Sequence, residues 1–294
     1  MKIFTSLLAT IAILFSMQVS AAETPTLTLC TGGAKGNYYF SGMQIREQAK
    51  GALNIEVINT KGTWDNLQKM ARGECDAAII QGDGWSVWNA RNKSASLDLE
   101  RVDVLYKEYV HFYCNRESGI DEISDIENEN GEYTMLIGKN GSGHQVTWQN
   151  FVLEDGGYGP EEVKTLPIGG SRARTKVKAG IDAQCGIYVA GLNSRFMQEM
   201  DRDFGEYIRL IDIDDNDFND TVDPAGNKIY EFVEIDSSIY RNIVGIWDID
   251  TIAVPAVLVV KADWIDANED NGAYDGFIDY QMKAQKAIRD RVGQ

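Results

Sequence analysis

A glycine-rich segment in the middle of the chain has the spacing of a nucleotide-binding loop. In TMLIGKNGSGHQ, four residues separate Gly138 from Gly143, as in the phosphate-binding loop of many ATPases. Such a loop continues with a lysine for the phosphates and a serine or threonine for magnesium, whereas this chain has His144 and Gln145. The nucleotide interpretation therefore fails, and the question is which other anion this turn would bind.

Similar turns follow most of the strands that the sequence predicts. They are TGGAKGNYY, NTKGTWDN, IIQGDGW, IGKNGSGHQ, IGGSRAR and YVAGLNS. In open α/β sheets, ligands bind at the carboxyl ends of the strands, where glycine turns expose backbone N–H groups and helix N-termini favour negative charge. The pattern predicts a site between two lobes for a small anion, most simply a carboxylate.

Several side chains at these turns are candidates for binding, and each also has a structural explanation. Tyr38 or Tyr39 either walls a pocket or packs on a neighbouring loop. Ser142 donates to an anion, caps the next helix, or does both. His144 either hydrogen-bonds a ligand or lies at the surface. Asp83 pairs with a ligand ammonium group or with a local lysine or arginine.

Cationic and catalytic groups are harder to identify. Arg172 and Arg174 flank a Gly-Gly turn and are either the cations of the site or a solvated helix start. No Gly-x-Ser-x-Gly nucleophile motif comes with a suitable histidine and acid. The two histidines do not suffice for a multi-histidine metal site. The sequence thus predicts a binding protein that is not an enzyme and that carries no metal or other cofactor.

The length of the chain and its net charge limit the possible folds and the possible partners. The chain has 294 residues, enough for two lobes of ordinary size. Its formal net charge of -17 excludes nucleic acid and anionic membrane surfaces as partners. Strand, turn and helix alternate twice along the chain, which predicts an α/β fold with two mostly parallel sheets flanked by helices. The acidic segment DDNDFNDTVDPAGNKIYEF lacks the order of an EF-hand loop and is interpreted as a solvated surface loop.

Individual elements also follow from local patterns. The segment VDVLYKEYVHFYCNRE predicts two strands, at 102–106 and 109–115, and YIRLIDID predicts a last strand at 207–214. The segment DAAIIQGD predicts a buried strand that ends in a turn, and Thr63 is the expected N-cap of the helix that Gly73 stops. In TIAVPAVLVVKADW, Pro255 indicates a bulge or an edge position.

The N-terminus predicts a secretory signal peptide, residues 1–22. Lys2 precedes an apolar run at 3–15, and small residues precede a cleavage site after Ala21 or Ala22. The run is too short for a membrane anchor. The mature chain is therefore expected to be a soluble periplasmic protein.

Taken together, three motifs resemble a known family. LTLCTGGAKGNYYFSG, NTKGTWDNLQKMARGECDAAIIQGD and GKNGSGHQVT resemble the TAXI proteins, the TRAP-associated extracytoplasmic solute receptors. The resemblance implies a type II periplasmic-binding-protein fold with the ligand in a cleft between lobes. Lobe 1 is expected at 23–110 plus 240–294 and lobe 2 at 111–239, with crossover segments near 106–112 and 215–245.

The resemblance also implies the function. Members bind small organic acids, such as glutamate, related amino acids or dicarboxylates, and deliver them to a sodium-driven TRAP transporter in the inner membrane. The chain is accordingly expected to be a monomeric receptor with the TRAP membrane subunits as partners. The alternatives are a subunit that feeds a membrane sensor and an exported α/β enzyme.

The motifs and turns together define the predicted ligand-binding set. Its members are Thr31, Gly33, Asn37, Tyr38, Tyr39, Thr60, Gln81, Asp83, Gly141, Ser142, Gly143, His144, Arg172, Val189 and Gly191. The chain departs from the family pattern at Asn37, Phe40, Gly82 and His144, which are all expected at the cleft. The spacing of the four cysteines leaves their pairing open, and the implied fold makes a Cys114–Cys185 disulfide geometrically possible.

Overall fold

The computed structural model describes residues 24–192 and 194–294, and the predicted signal peptide lies outside the described residues. The strands are β1 (Thr26–Cys30), β2 (Asn54–Ile58), β3 (Ala77–Gln81), β4 (Leu99–Asn115), β5 (Thr134–Leu136), β6 (Lys164–Leu166), β7 (Cys185–Ala190), β8 (Ile208–Leu210), β9 (Glu231–Ile235) and β10 (Ile249–Lys261). The α-helices are α1 (Asn37–Ala49), α2 (Thr63–Ala71), α3 (Gly82–Arg91), α4 (Gly143–Glu154), α5 (Ser171–Ala179), α6 (Arg195–Phe204), α7 (Ala262–Asn268) and α8 (Ala273–Val292). Short 3-10 helices lie at Lys93–Ala95, Ile123–Ile126, Gly156–Tyr158 and Asn216–Asp220.

These strands form one sheet in the order β2-β1-β3-β10-β4-β7-β5-β6, with β8 beside β4 and β9 beside β10. We call β2-β1-β3 the first half and β6-β5-β7 the second half. The strands within each half are parallel, and each half follows the same strand-helix-strand-helix-strand plan. The antiparallel strands β4 and β10 lie between the halves: β10 pairs with β3, and β4 pairs with β7. The predicted α/β alternation is therefore present.

The strand β10 shows how the core is built. Ala256, Leu258 and Val260 pack into the cluster that includes α1 and α8, whereas Val257 and Val259 pack into the cluster that includes α2 and α3. Successive side chains of a strand point to opposite faces, so a continuous apolar run is buried on both faces of the sheet. The strand β10 therefore contributes side chains to the apolar clusters under the helices on both faces of the sheet.

The structure corrects two strand predictions. The predicted runs 102–106 and 109–115 form one strand, β4, because Lys107 and Glu108 continue the alternation instead of breaking it. The strand predicted at 207–214 is only β8, Ile208–Leu210, although Ile211 and Ile213 still donate backbone hydrogen bonds beyond it. The division of this segment into two strands was therefore wrong.

Pro255 lies in the middle of the sheet and not at an edge. It is opposite Lys107 of β4, the pairing of β10 with β3 begins only at Ala256, and a register irregularity follows between Ala256 and Val257. The absent proline N–H therefore falls where β3 has ended. The predicted edge position was therefore wrong. The irregularity that corresponds to the predicted bulge begins one residue after Pro255.

Two helix starts also differ from expectation. The N-cap of α2 is Gly62, and Thr63 is the first helical residue, where its Oγ1 accepts a hydrogen bond of 3.0 Å from the Gln81 N–H. The expected turn after β3 is absent because α3 begins directly at Gly82. Asp83 therefore lies in the first turn of α3, and the helix fixes the direction of its side chain.

Two disulfides join neighbouring strands. Cys114 and Cys185 are register partners on β4 and β7 and are bonded, which is the pair that the implied fold made possible. Cys30, at the end of β1, is bonded to Cys75, just before β3, and this pair was not anticipated. The parallel neighbours β1 and β3 explain it.

Among the described ranges, no helix has both the length and the apolar character needed to cross a membrane. The predicted lobe boundaries stay predictions. The second strand that lies between both halves, β10, is C-terminal to the crossover segment expected near 215–245.

Candidate functional site

A cleft of about 490 Å³ lies where the first turns of three helices meet β4. It is lined by Gly32, Gly33, Gly36, Asn37, Tyr38, Lys61, Gly62, Thr63, Gln81, Tyr106, Glu108, Gly143, His144 and Tyr188. A second cavity of about 440 Å³ shares Gly36, Asn37, Glu108 and Tyr188 with it and continues past Gly191. The two cavities adjoin, and the lining comes from both halves of the sheet.

The helix starts give the cleft positive potential. Asn37 and Tyr38 begin α1, Thr63 begins α2, and Gly143 and His144 begin α4. Within the described part of the chain, the backbone N–H groups of these residues have no protein acceptor. Each helix N-terminus is equivalent to about +0.5 elementary charge, and here three of them converge. This arrangement can bind an anion without an arginine or a lysine in contact.

The turn before α4 depends on its glycines. Gly138 has φ of +87°, and a Cβ there would lie 2.5 Å from Ser142 Oγ. Ser142 caps α4 by accepting from the Gln145 N–H, as the cap interpretation predicted. A Cβ on Gly143 would lie 1.6 Å from Gln81 Oε1, so a larger residue there would displace the Gln81 side chain. The loop that resembled a nucleotide site thus brings α4 against the end of β3.

His144 is held as a neutral ring. Its Nδ1 accepts a hydrogen bond of 3.0 Å from the Val189 N–H, and its ring lies 4.6 Å from the ring of Tyr188. Burial lowers the pKa of His144 to about 4. Since Nδ1 is an acceptor, Nε2 carries the hydrogen, and the ring offers one neutral donor.

An acid lies in the cleft opposite these donors. Tyr38 O–H donates to Glu108 Oε2 at 2.9 Å. Burial raises the pKa of Glu108 to about 7, and the nearby charge of Asp83 adds to the rise, while the hydrogen bond from Tyr38 opposes it. The hydroxyl of Tyr106 is also buried, and it has no hydrogen-bond partner in the described part of the chain.

Behind the cleft, a buried network joins the two halves. Asp83 Oδ2 accepts from Thr147 Oγ1 at 2.6 Å and from Tyr230 O–H at 3.2 Å. Thr147 in turn accepts from Gln81 Nε2 at 3.0 Å, and Tyr230 accepts from Asn150 Nδ2 at 3.0 Å. Burial raises the pKa of Asp83 to about 6, which these donors only partly oppose.

The structure brings only part of the predicted set into the cleft. The lining residues from that set are Gly33, Asn37, Tyr38, Gln81, Gly143 and His144, with Gly191 in the adjoining cavity. The residues behind the wall are Thr31, Thr60, Asp83 and Val189, and those in the turn before α4 are Gly141 and Ser142. Asp83 pairs with hydroxyl groups and not with a lysine or an arginine.

Three other predicted positions lie away from the lining. Tyr39 and the exposed Arg172 contribute to neither cavity. Arg174 is buried, with its guanidinium over the rings of Phe196 and Phe204. The cationic role considered for the arginines is therefore wrong for Arg174, whose charge serves packing on α6.

Sequence reasoning missed Tyr106, Glu108 and Tyr188, which are strand residues and not turn residues. Tyr106 and Glu108 share one face of β4, but the strand also carries Glu100, Arg101, Asp103 and Lys107, so the acid alone was no distinct signal. Two of the four departures from the family pattern, Asn37 and His144, line the cleft. The other two, Gly82 and Phe40, do not line the cleft and have packing contacts instead.

Those two departures contact neighbouring side chains. Gly82 lies against Pro255, since a Cβ there would approach Pro255 Cγ to 2.9 Å. Phe40 lies under the guanidinium of Arg291 at 5.3 Å. Both residues thus have packing contacts outside the lining of the cleft, and their part in ligand binding stays a prediction.

The sequence matches the NMT1-like family over residues 29–269, so the chain belongs to that family. It is similar to the periplasmic aliphatic sulphonate binding protein SsuA from Escherichia coli, with 11% identity, a TM-score of 0.54, and 91% of this chain and 75% of that chain covered. A protein from Bordetella bronchiseptica RB50 is similar with 14% identity, a TM-score of 0.50 and the same coverage of 91% and 75%. No curated protein sequence matches. At these identities the likeness shows the fold alone, and the predicted periplasmic-binding-protein fold is confirmed.

Proposed function

From membership of the NMT1-like family and the geometry of the cleft, we propose that this chain is an extracytoplasmic receptor for a small carboxylate. The receptor closes its two lobes on the ligand and delivers it to a sodium-driven TRAP-type transporter of the inner membrane. The motif resemblance to the TAXI receptors supports this partner. The proposal includes export by residues 1–22 and the lobe boundaries given by the sequence.

The convergence of three helix N-termini on one cleft carries the proposal. The unpartnered N–H groups of Gly143 and His144 come from the second half, and those of Tyr38 and Thr63 come from the first. A carboxylate placed between them accepts hydrogen bonds from both halves at once, which stabilises the closed arrangement. Lys61 also lines the cleft, and together with these donors it compensates locally for the negative net charge of -17.

The contacts between the halves support closure as the binding step. Gln81, from the first half, lies against Gly143 and donates to Thr147 of the second half. Between the halves, the chain passes through β4 and β10, which are long enough to act as a hinge pair. Opening separates the Gln81 contacts and exposes the helix starts to solvent.

Calorimetric titration tests the proposal. The probes are the common L-amino acids, each beside the carboxylic acid in which hydrogen replaces the α-ammonium group, with protein stripped of host ligand by unfolding and refolding. We expect saturable binding of at least one probe and a rise in the unfolding temperature with its concentration. NMR of the recovered ligand should show it unchanged, because a receptor has no turnover. Binding of no probe at millimolar concentration would refute the carboxylate function.

A further inference from the structure

Glu108 lies at the junction of the two cavities, whose linings also include Lys61, Lys35, Arg195 and Arg291. It lines both cavities, and its Oε2 accepts only from Tyr38 O–H. Among the described residues it forms no ion pair, and no positive charge contributes to its pKa of about 7. A carboxylate without a cation in a half-buried position is costly unless something else supplies the charge.

The position of Glu108 is rigid. Its backbone is in the centre of β4, where it is opposite Val254 of β10. The preceding residue, Lys107, points to the other face and pairs with Glu231 at 2.7 Å. The nearest lysine in sequence is therefore already engaged, and the Glu108 side chain faces the cleft between well-ordered strands.

The groups around Glu108 are suited to an ammonium ion. Tyr106 lines the same cleft and is 3% exposed, and its buried hydroxyl has no partner among the described residues. The rings of Tyr38 and Tyr106 lie 6.4 Å apart, and Tyr188 adds a third aromatic wall. Aromatic faces attract cations, and a buried hydroxyl without a partner indicates a ligand atom that completes it.

We propose that Glu108 binds the ammonium group of the ligand and makes the receptor specific for amino acids over carboxylates that lack an amine. This inference rests on the proposed function, since the ligand carboxylate binds at the helix starts. The cleft then has a positive and a negative end, which match the two charges of a zwitterion. A dicarboxylate would place its second carboxylate toward Glu108, where like charges repel.

A matched pair of probes tests the inference. L-glutamate and glutarate differ only in the ammonium group, as do L-leucine and 4-methylpentanoate. For the pair that wild type binds best, we expect the amino acid to bind at least about 30-fold more tightly, and Glu108→Gln to remove that preference. The variant should bind the amine-free acid at least as tightly as wild type does, because the amide removes repulsion and this ligand has no ammonium contact to lose.

Controls separate the possible failures. Glu100→Gln removes an exposed acid from the same strand and should change neither affinity. Urea unfolding of each variant shows whether it folds, and Tyr38→Phe, which frees Oε2, should retain the amine preference. Equal wild-type affinity for both members of a pair, or tighter binding of the amine-free acid, overturns the role of Glu108 while the carboxylate function stands. Equal loss of both ligands in Glu108→Gln also overturns it, and binding of no probe overturns the proposed function itself.

Discussion

Thr147 donates its hydroxyl hydrogen to Asp83 at 2.6 Å, and this bond joins α4 of one half to α3 of the other. Both side chains are fully buried, and Asp83 Oδ1 has no partner among the described residues. A carboxyl group in such a place favours its neutral form, so the contact between the halves is linked to protonation.

Asp83→Asn should remove a pH dependence from stability. Burial raises the pKa of Asp83 from 3.8 to about 6, so the folded chain binds an extra proton in that window. Its contribution to stability is therefore greatest below pH 3.8 and is lost as pH rises toward 6. The amide keeps an oxygen for Thr147 and titrates nowhere, so from pH 4 to pH 7 the variant should gain about 2–3 kcal/mol relative to wild type.

Urea unfolding of wild type and variant at pH 4 and pH 7 measures how the difference between their free energies of unfolding changes with pH. Asp98→Asn, at an exposed position, is the control and should show the same pH dependence as wild type. The same dependence in Asp83→Asn as in wild type would show that Asp83 is ionised and solvated.

Gly143→Ala should weaken ligand binding through the contact with Gln81. The added Cβ would lie 1.6 Å from Gln81 Oε1, so Gln81 must move and lose its bond to Thr147. Overpacking of this kind costs about 1–3 kcal/mol, which corresponds to about a 5- to 150-fold loss of affinity for the tightest amino-acid probe.

The matched control is Gly156→Ala, where a Cβ meets nothing within 4 Å. It should bind the same probe as wild type does, by calorimetry. If Gly143→Ala also binds with unchanged affinity, Gln81 does not need its observed place for closure.

Both histidines should titrate far below the ordinary range. The chain has two, and burial lowers the pKa of His111 and of His144 to about 4 each. Each ring should therefore stay neutral from pH 8 to pH 5. Two-dimensional NMR of the ring Cε1–H signals measures both midpoints, and His144→Thr assigns them. A midpoint for His144 near 6.5 would contradict the buried, neutral ring described for the cleft.

His144→Thr also tests selectivity. The neutral Nε2–H is a donor that the threonine hydroxyl would place elsewhere, because Val189 N–H positions the ring from the opposite side. We expect the order of affinities among the amino-acid probes to change. An unchanged order in calorimetric titrations would remove His144 from the groups that select the ligand.

The parts of the site that sequence predicted are those with local signals. Ser142 and Gly143 are recognisable because a cap and a tight glycine turn depend on adjacent residues. Glu108 has no such signal: its importance comes from Tyr38, which is 70 residues away, and from having no ion pair among the described residues. The strand-helix alternation of each half likewise followed from local patterns, whereas Cys30–Cys75 required knowing that β1 and β3 are neighbours.

Removal of either disulfide should destabilise the fold. Cys114–Cys185 joins β4 to β7 across a sequence separation of 71, and Cys30–Cys75 joins β1 to the residue before β3 across 45. Each disulfide reduces the conformational entropy of the unfolded chain. Replacing both cysteines of one pair by alanine should therefore lower the free energy of unfolding by about 2–4 kcal/mol. Urea titration measures the loss, and thiol titration of unreduced, denatured wild type should find no free thiol because all four cysteines are bonded. Two free thiols per chain would show that one of the bridges is absent, and peptide mapping would identify which of the strand pairs is left unlinked.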